Sequence, residues 1–280
     1  MRVRYSFSSR KTRKTKNIRK QRTEFPKLLL KVVETSDIIL QVLDARFIEE
    51  TRNKEVEELI KSQNKKIIYV LNKSDLISKI DKSKLEEIKP YVLVSCIKRK
   101  GGKELRNKIK QEAKKVKKDE NNTYDRIQVG VIGYPNAGKS SIINLLIGKS
   151  SAKTGSEAGF TKGLQKLKLT KDMHLLDSPG VIPEREYSSD EKAKIARYTI
   201  VGGRSFSQVR DPDLIIDSIL KQFPNVLEKH YRVDSENDVE ILLEKLGKKF
   251  NYLKKGGVVD EDKTARRILK EWQTGVIRIS

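Results

Sequence analysis

The stretch "GYPNAGKSS", Gly133 to Ser141, constrains this chain more than any other. It fits G-x-x-x-x-G-K-[ST], in which glycines let the backbone wrap phosphate oxygens while a lysine and a hydroxyl open the next helix. Such a loop must leave an apolar strand and enter a helix. "RIQVGVIG" before it and "KSSIINLLIG" after it meet both demands. In common nucleotide-binding domains the loop follows the first strand, whereas here it begins at residue 133 of 280. The fold class must therefore account for a long first half.

That half reads as the same kind of structure. "DIILQVLDA" (Asp37 to Ala45), "KKIIYVLNKSD" and "YVLVSC" are apolar, β-branched runs, and "TRNKEVEELIKSQN" between the first two has helical spacing. After the loop, "LQKLKLT" and "MHLLDSPG" supply two more strands. Six strands alternating with helices predict one mostly parallel α/β sheet, with ligands gathered at the carboxyl ends of its strands.

Short signals stand at those ends. "NKSD" supplies Asn72, Lys73 and Asp75; an aspartate there can accept two hydrogen bonds from the N1 and N2 edge of guanine, while the Lys73 stem lies along the ring. Ser95 and Cys96 end the third strand, where backbone N–H groups meet a guanine O6. Asn136, Ala137, Gly138, Lys139, Ser140 and Ser141 form the phosphate cradle, with Lys139 reaching the β and γ oxygens and Ser140 on Mg²⁺. Thr161 in "AGFTKG" completes the Mg²⁺ shell, Asp177 of "DSPG" is a water-mediated metal ligand, and the Gly180 N–H senses the γ-phosphate. Lys139, Thr161 and Gly180 are thus the candidate catalytic groups. Val181 stands where many switch GTPases carry a water-orienting glutamine, so slow basal turnover is expected.

The order of these signals explains the long first half. An ordinary GTPase runs phosphate loop, threonine, DxxG, NKxD, Ser-Ala; this chain runs NKxD, Ser-Cys, phosphate loop, threonine, DxxG. That is a circular permutation, with the old termini bridged by a basic helix and "DENNTYD" (Asp119 to Asp125). The expected fold is therefore a circularly permuted, six-stranded P-loop GTPase sheet with a small C-terminal helical domain. The domains are a basic arm at 1–24, a GTPase domain at 25–184 and a helical domain at 185–280. In the last, "DPDLIIDSILKQF", "SENDVEILLEKLGKKF" and "KTARRILKEW" read as helices, with Asp211 or Ser235 as starts and Gly256-Gly257 as a stop. His174, inside a strand, and Trp272, on an apolar helical face, read as packing residues.

Charge points to the partner. The chain carries 61 Lys+Arg against 38 Asp+Glu, a formal +23. Its first 22 residues hold ten Lys/Arg and no acid, and Lys98 to Lys118 hold eleven against two acids. A polyanion, RNA above all, is the expected partner, bound through its phosphates with strong salt dependence. No apolar run approaches the roughly 20 residues that span a bilayer. The N-terminal arginines precede no signal-peptide core, and the single Cys96 allows no internal disulfide. A cytoplasmic monomer free of membrane is expected.

These motifs, with "VLDARFIEETRN" (Val42 to Asn53) and "GGVVDEDKTARRILKEWQTGVIRI" near the end, resemble the circularly permuted ribosome-assembly GTPases of the YlqF/YawG group, in particular their archaeal and eukaryotic large-subunit branch. The resemblance implies GTP hydrolysis while the protein sits on rRNA of a large ribosomal subunit precursor, with GTP/GDP and Mg²⁺ as cofactors. It also implies a K⁺ ion beside the phosphates at Asn136. The chain departs from the pattern where Phe47 and Ile48 replace the proline-containing step after Arg46, and where Ala158-Gly159 replaces Pro-Gly. It also lacks the N-terminal histidine of some bacterial relatives. Two other functions fit the same motifs: a nucleotide-gated RNA-binding factor in which hydrolysis is incidental, and a tRNA-acting GTPase.

Overall fold

The computed structural model describes residues 27–77, 82–116, 126–148, 165–178, 196–197, 199–203 and 205–279. The basic arm, the 119–125 bridge, Thr161, Gly180, Val181 and the boundary at 184/185 lie outside them.

Strand β1 (Ile38–Asp44) is buried at all seven positions. A strand that is apolar almost throughout needs neighbours on both edges and cover on both faces. It pairs in parallel with β2 (Lys66–Asn72) on one side, in register Ile38↔Lys66 to Asp44↔Asn72. On the other side it pairs in parallel with β4 (Ile127–Gly133), from Ile38↔Val129 to Val42↔Gly133. β3 (Tyr91–Leu93) extends the sheet beyond β2, β6 (Met173–Asp177) extends it beyond β4, and β5 (Gln165–Lys168) closes the far edge antiparallel. The order is β3-β2-β1-β4-β6-β5, the mostly parallel six-stranded sheet expected from the sequence.

Side chains alternate along β1. Ile38, Leu40 and Val42 enter one cluster with Leu105 and Ile109 of α5 (Gly102–Ala113) and Ile142, Ile143 and Leu146 of α6 (Lys139–Ile147). Ile39 faces the other way, toward Val32 and Val33 of α1 (27–35) and Val56 and Ile60 of α3 (Lys54–Ser62). Leu43 packs with Ile48 of α2 (Ile48–Thr51) and Leu85 of α4 (Lys82–Glu86). Each buried aliphatic chain contributes about 1.5–3 kcal/mol, which makes β1 the main anchor of the register. The chain winds outward through β2 and β3, returns through α5 to β4 on the other side of β1, then passes to the far edge at β5 and comes back to fill the place between them with β6. The reversal falls between β1 and β4, so their carboxyl ends open a crevice for a ligand.

The C-terminal part forms α7 (Pro212–Gln222), α8 (Val226–Tyr231), α9 (Val239–Lys249) and α10 (Glu261–Thr274). Its starts differ in part from those read in the sequence. Asp211 does precede α7, but its side chain makes no capping bond, and Pro212 at the first turn serves because its missing N–H would be unpaired there anyway. Ser235 starts no helix: its hydroxyl donates to Glu228 Oε1 at 2.6 Å, and Asp238 instead caps α9 by accepting from the amides of Glu240 and Ile241. Gly256-Gly257 does not stop α9 either, because that helix ends at Lys249 and Asn251 takes the left-handed turn. Ile216, Ile219, Leu243 and Ile268 belong to the same buried cluster as Val42 and Ile142, so the helices share a core with the sheet. Trp272 is fully buried in it and donates from Nε1 to Ile200 O at 3.0 Å. His174 lies near the start of β6, beside Arg126 and away from the crevice. Among the described residues no helix is long and apolar enough to cross a membrane.

Candidate functional site

Gly138 takes φ 98 and Lys139 opens α6, so the first amides of the helix face the crevice. A Cβ at Gly138 would lie 2.1 Å from Asn72 Nδ2. Only glycine allows that approach, and it brings the loop onto the end of β2. Asn72 Nδ2 donates to Ala137 O at 2.8 Å, and both residues are buried. The asparagine of the base-reading signature is thus the strut of the phosphate loop. Lys139 Nζ donates to Gly133 O at 3.1 Å and to Tyr134 O at 2.9 Å, which holds the ammonium inside the loop. Burial pushes its pKa down to about 8, against the attraction of the Asp177 carboxylate. A bound phosphate group would set further negative charge against this ammonium and favour its charged form.

Asp177, at the end of β6, is buried, and burial raises its pKa to about 6 despite Lys139 and Ser140. Among the described residues its Oδ1 has no hydrogen-bond partner, and Ser140 Oγ lies 3.4 Å from its Oδ2. An orphaned carboxylate oxygen beside a loop hydroxyl fits a hydrated Mg²⁺ held between phosphate and Asp177. Asn136, at φ 57, donates from Nδ2 to Gly202 O at 2.8 Å. Among the described residues no cluster of three His, Cys, Asp or Glu side chains forms a closed metal cage. A metal here would lean on phosphate oxygens for much of its shell.

At the base end, Lys73 is left-handed at φ 61, and the short 3₁₀ turn Ser74–Leu76 presents Asp75. Ser95 Oγ donates to Asp75 Oδ1 at 2.5 Å, which fixes the carboxylate. The Ser95 amide donates to Lys100 O at 3.1 Å. It is therefore spent within the protein, and the O6 donor expected of this pair narrows to the Cys96 amide. The Cys96 thiol is pushed up to about 12 by burial and by the Asp75 carboxylate, so it stays protonated and unreactive at neutral pH.

Two residues of "VLDARFIEETRN" belong to this site, though sequence reasoning gave them no role. Asp44, fully buried at the end of β1, accepts from Lys73 Nζ at 2.7 Å and, in a fork, from Arg46 Nε at 3.0 Å and Arg46 NH2 at 2.8 Å. Burial opposes its ionisation, but the charges of Lys73 and Arg46 more than offset this and hold the carboxyl well below the usual range. The signal was a lone acid at the carboxyl end of an apolar strand. The rest of that segment is structural: Arg52 forks onto buried Glu57 at 2.9 and 3.0 Å, and Asn53 caps α3. Phe47, in the proline-containing step of the pattern, packs against Phe223 and Trp272. The structure therefore brings Asn72, Lys73, Asp75, Ser95, Cys96, Lys139, Ser140 and Asp177 to one crevice.

The family model for 50S ribosome-binding GTPases matches residues 128–252. The match begins at the strand before the phosphate loop and leaves the base-reading half outside it, as a permuted order requires. The chain is 43% identical over 264 residues to the uncharacterized GTP-binding protein MJ1464 of Methanocaldococcus jannaschii, covering 92% of this chain and 67% of that protein. It is 34% identical to the guanine nucleotide-binding protein-like NSN1 of Arabidopsis thaliana, over 90% of this chain and 47% of that one. It is 33% identical to nucleolar GTP-binding protein 2 of Pneumocystis carinii, over 89% and 52%. The chain thus spans about half of the two eukaryotic relatives and two thirds of the archaeal one. Among solved structures, YlqF from T. maritima in its GNP-bound form superposes with a TM-score of 0.62 at 21% identity, covering 89% of this chain and 93% of that one. The GDP-bound form gives 0.62 at 22%, over 90% and 96%. At such identity the likeness is one of fold.

Proposed function

We propose, because the chain belongs to the circularly permuted GTPases of the YlqF/YawG family, that it hydrolyses GTP as an assembly factor on precursors of the large ribosomal subunit. The observation that carries the reading is the Asn72–Ala137 bond, which fastens a base-reading turn and a phosphate loop into one pocket. Asp75 and the Cys96 amide read guanine, and Lys139 and the α6 amides hold the phosphates. Ser140 and Asp177, with Thr161, hold Mg²⁺, and the Gly180 amide reports the γ-phosphate. Bound Mg²⁺ supplies charge neutralisation on the β and γ oxygens. The oxygen of Asn136 holds a K⁺ ion that shares this work.

The basic arm, together with the exposed Lys103 and Lys110 of α5 and Lys114 and Lys115 just after it, meets rRNA phosphates. The residues from 185 onward form a unit that carries the nucleotide state to the particle, and the protein works as a monomer in the cytoplasm. The names of its relatives, nucleolar and ribosome-binding GTPases, support a ribosomal particle as the partner. Sedimenting a cell lysate with a non-hydrolysable GTP analogue tests this. The protein should travel with large-subunit precursors, and enrichment on tRNA or on no particle would end the reading.

Val181 favours one second reading, in which GTP only stabilises a binding-competent shape and hydrolysis is incidental. A variant that binds GTP but cannot cleave it separates the two: trapping on particles supports the timed switch, and normal cycling supports the gate.

A further inference from the structure

We infer that Arg46 is a positioning residue for guanine recognition, coupling the docking of α10 to the placement of Lys73. The inference rests on reading the pocket as a guanine site. Arg46 and Lys73 share one buried carboxylate, Asp44, whose Oδ2 receives both cations at 2.8 and 2.7 Å. The remaining guanidinium nitrogen of Arg46, NH1, donates 3.0 Å to the backbone oxygen of Trp272 in the last turn of α10. One planar fork therefore joins β1, the base-reading turn and a helix 226 positions away in sequence. Lys73 holds an unfavourable left-handed backbone, and its ion pair with Asp44 is what fixes the side chain there.

A second contact joins the same parts independently. Gly275 caps α10 at φ 81, and a Cβ there would sit 2.4 Å from Leu76 Cδ1, directly after Asp75. Phe47, next to Arg46, lies against Trp272 and Phe223. Docked α10 therefore supports the turn that reads the base, and by reciprocity a bound base favours docked α10. The phosphate end has a parallel link, since Gln273 Nε2 donates to Thr199 O at 2.8 Å and Gly202 of that turn accepts from Asn136.

The test uses the full chain, GDP, and Trp272, the only tryptophan in the sequence. Arg46→Lys keeps one positive charge but cannot reach both carboxylate oxygens and the Trp272 carbonyl together. It should weaken GDP binding about tenfold, and in a Lys73→Ala background it should add little further loss. GDP should shift Trp272 emission in the unmutated chain and far less in Arg46→Lys. Losses that add fully, or an undiminished Trp272 response, would overturn the coupling. A measurement without mutation stands beside this: GDP should slow amide exchange at residues 268–277, and protection confined to the phosphate loop would overturn the coupling as well. A folded chain that binds no GDP at all would instead remove the guanine reading, a different result from binding without coupling.

Discussion

Asn72 belongs to a base-recognition signature by sequence, yet its amide holds the phosphate loop, and replacing it by alanine separates the two roles. In Asn72→Ala the Ala137 carbonyl loses its 2.8 Å donor inside a buried contact. An unsatisfied buried carbonyl costs about 1–3 kcal/mol, and the lost hydrogen bond makes the upper half of that range the better figure, about 2–3 kcal/mol. At about 2–4 °C per kcal/mol for a chain of this size, the melting temperature should fall by roughly 4–12 °C. If half of the penalty must be recovered when ligand reorders the loop, about 1.4 kcal/mol, affinity drops about tenfold. The loss should be equal for GDP and for inorganic triphosphate, which has no base, when both are measured by calorimetry with Mg²⁺. Asp75→Asn should behave oppositely, losing GDP while triphosphate binding is unchanged. If Asn72→Ala lost GDP but bound triphosphate normally, the strut role would be wrong.

The raised pKa of Asp177 gives a pH signature. Its folded value of about 6 exceeds the ordinary 3.8, so the ligand-free protein holds an extra proton between them and loses up to about 3 kcal/mol of stability as pH rises through that window. Mg²⁺ needs the ionised carboxylate, so Mg²⁺-dependent GDP affinity should fall about tenfold per pH unit below 6, and a titration at pH 5, 6 and 7 that stays flat would exclude Asp177. Gly275→Ala forces a side chain into a left-handed residue and against Leu76; denaturant unfolding should show a loss of about 2–4 kcal/mol. Arg52→Ala strands Glu57, which is buried, and should cost about 3–5 kcal/mol, while joint replacement of Arg52 and Glu57 by apolar residues of similar size should cost less.

The sheet and its permuted order were legible because strand periodicity and the loop's glycines are local properties. β1, β4 and α6 fall within a residue or two of the runs that announced them, while β2 ends at Asn72, three residues short of its run. The helix starts were less legible, since Ser235 and Asp238 are both good capping residues and only the competing acceptor Glu228 decides between them. Arg46 was beyond reach for a different reason. Its distant partner is a main-chain oxygen, which leaves no mark in the residue type at 272. Ser95 was half legible: its hydroxyl serves Asp75, but the bridge to Lys100 that consumes its amide depends on a loop return that no residue pattern specified.

The seam between β1 and β4 also sets an order of events during synthesis. Asp75 and Ser95 leave the ribosome before Lys139 has been made, so a nascent chain owns the means to choose a base while it has nowhere to put phosphates. Only when β4 lies down beside β1 does a nucleotide gain two walls to bridge, and from then on it acts as a rivet across halves of the polypeptide that were born separately.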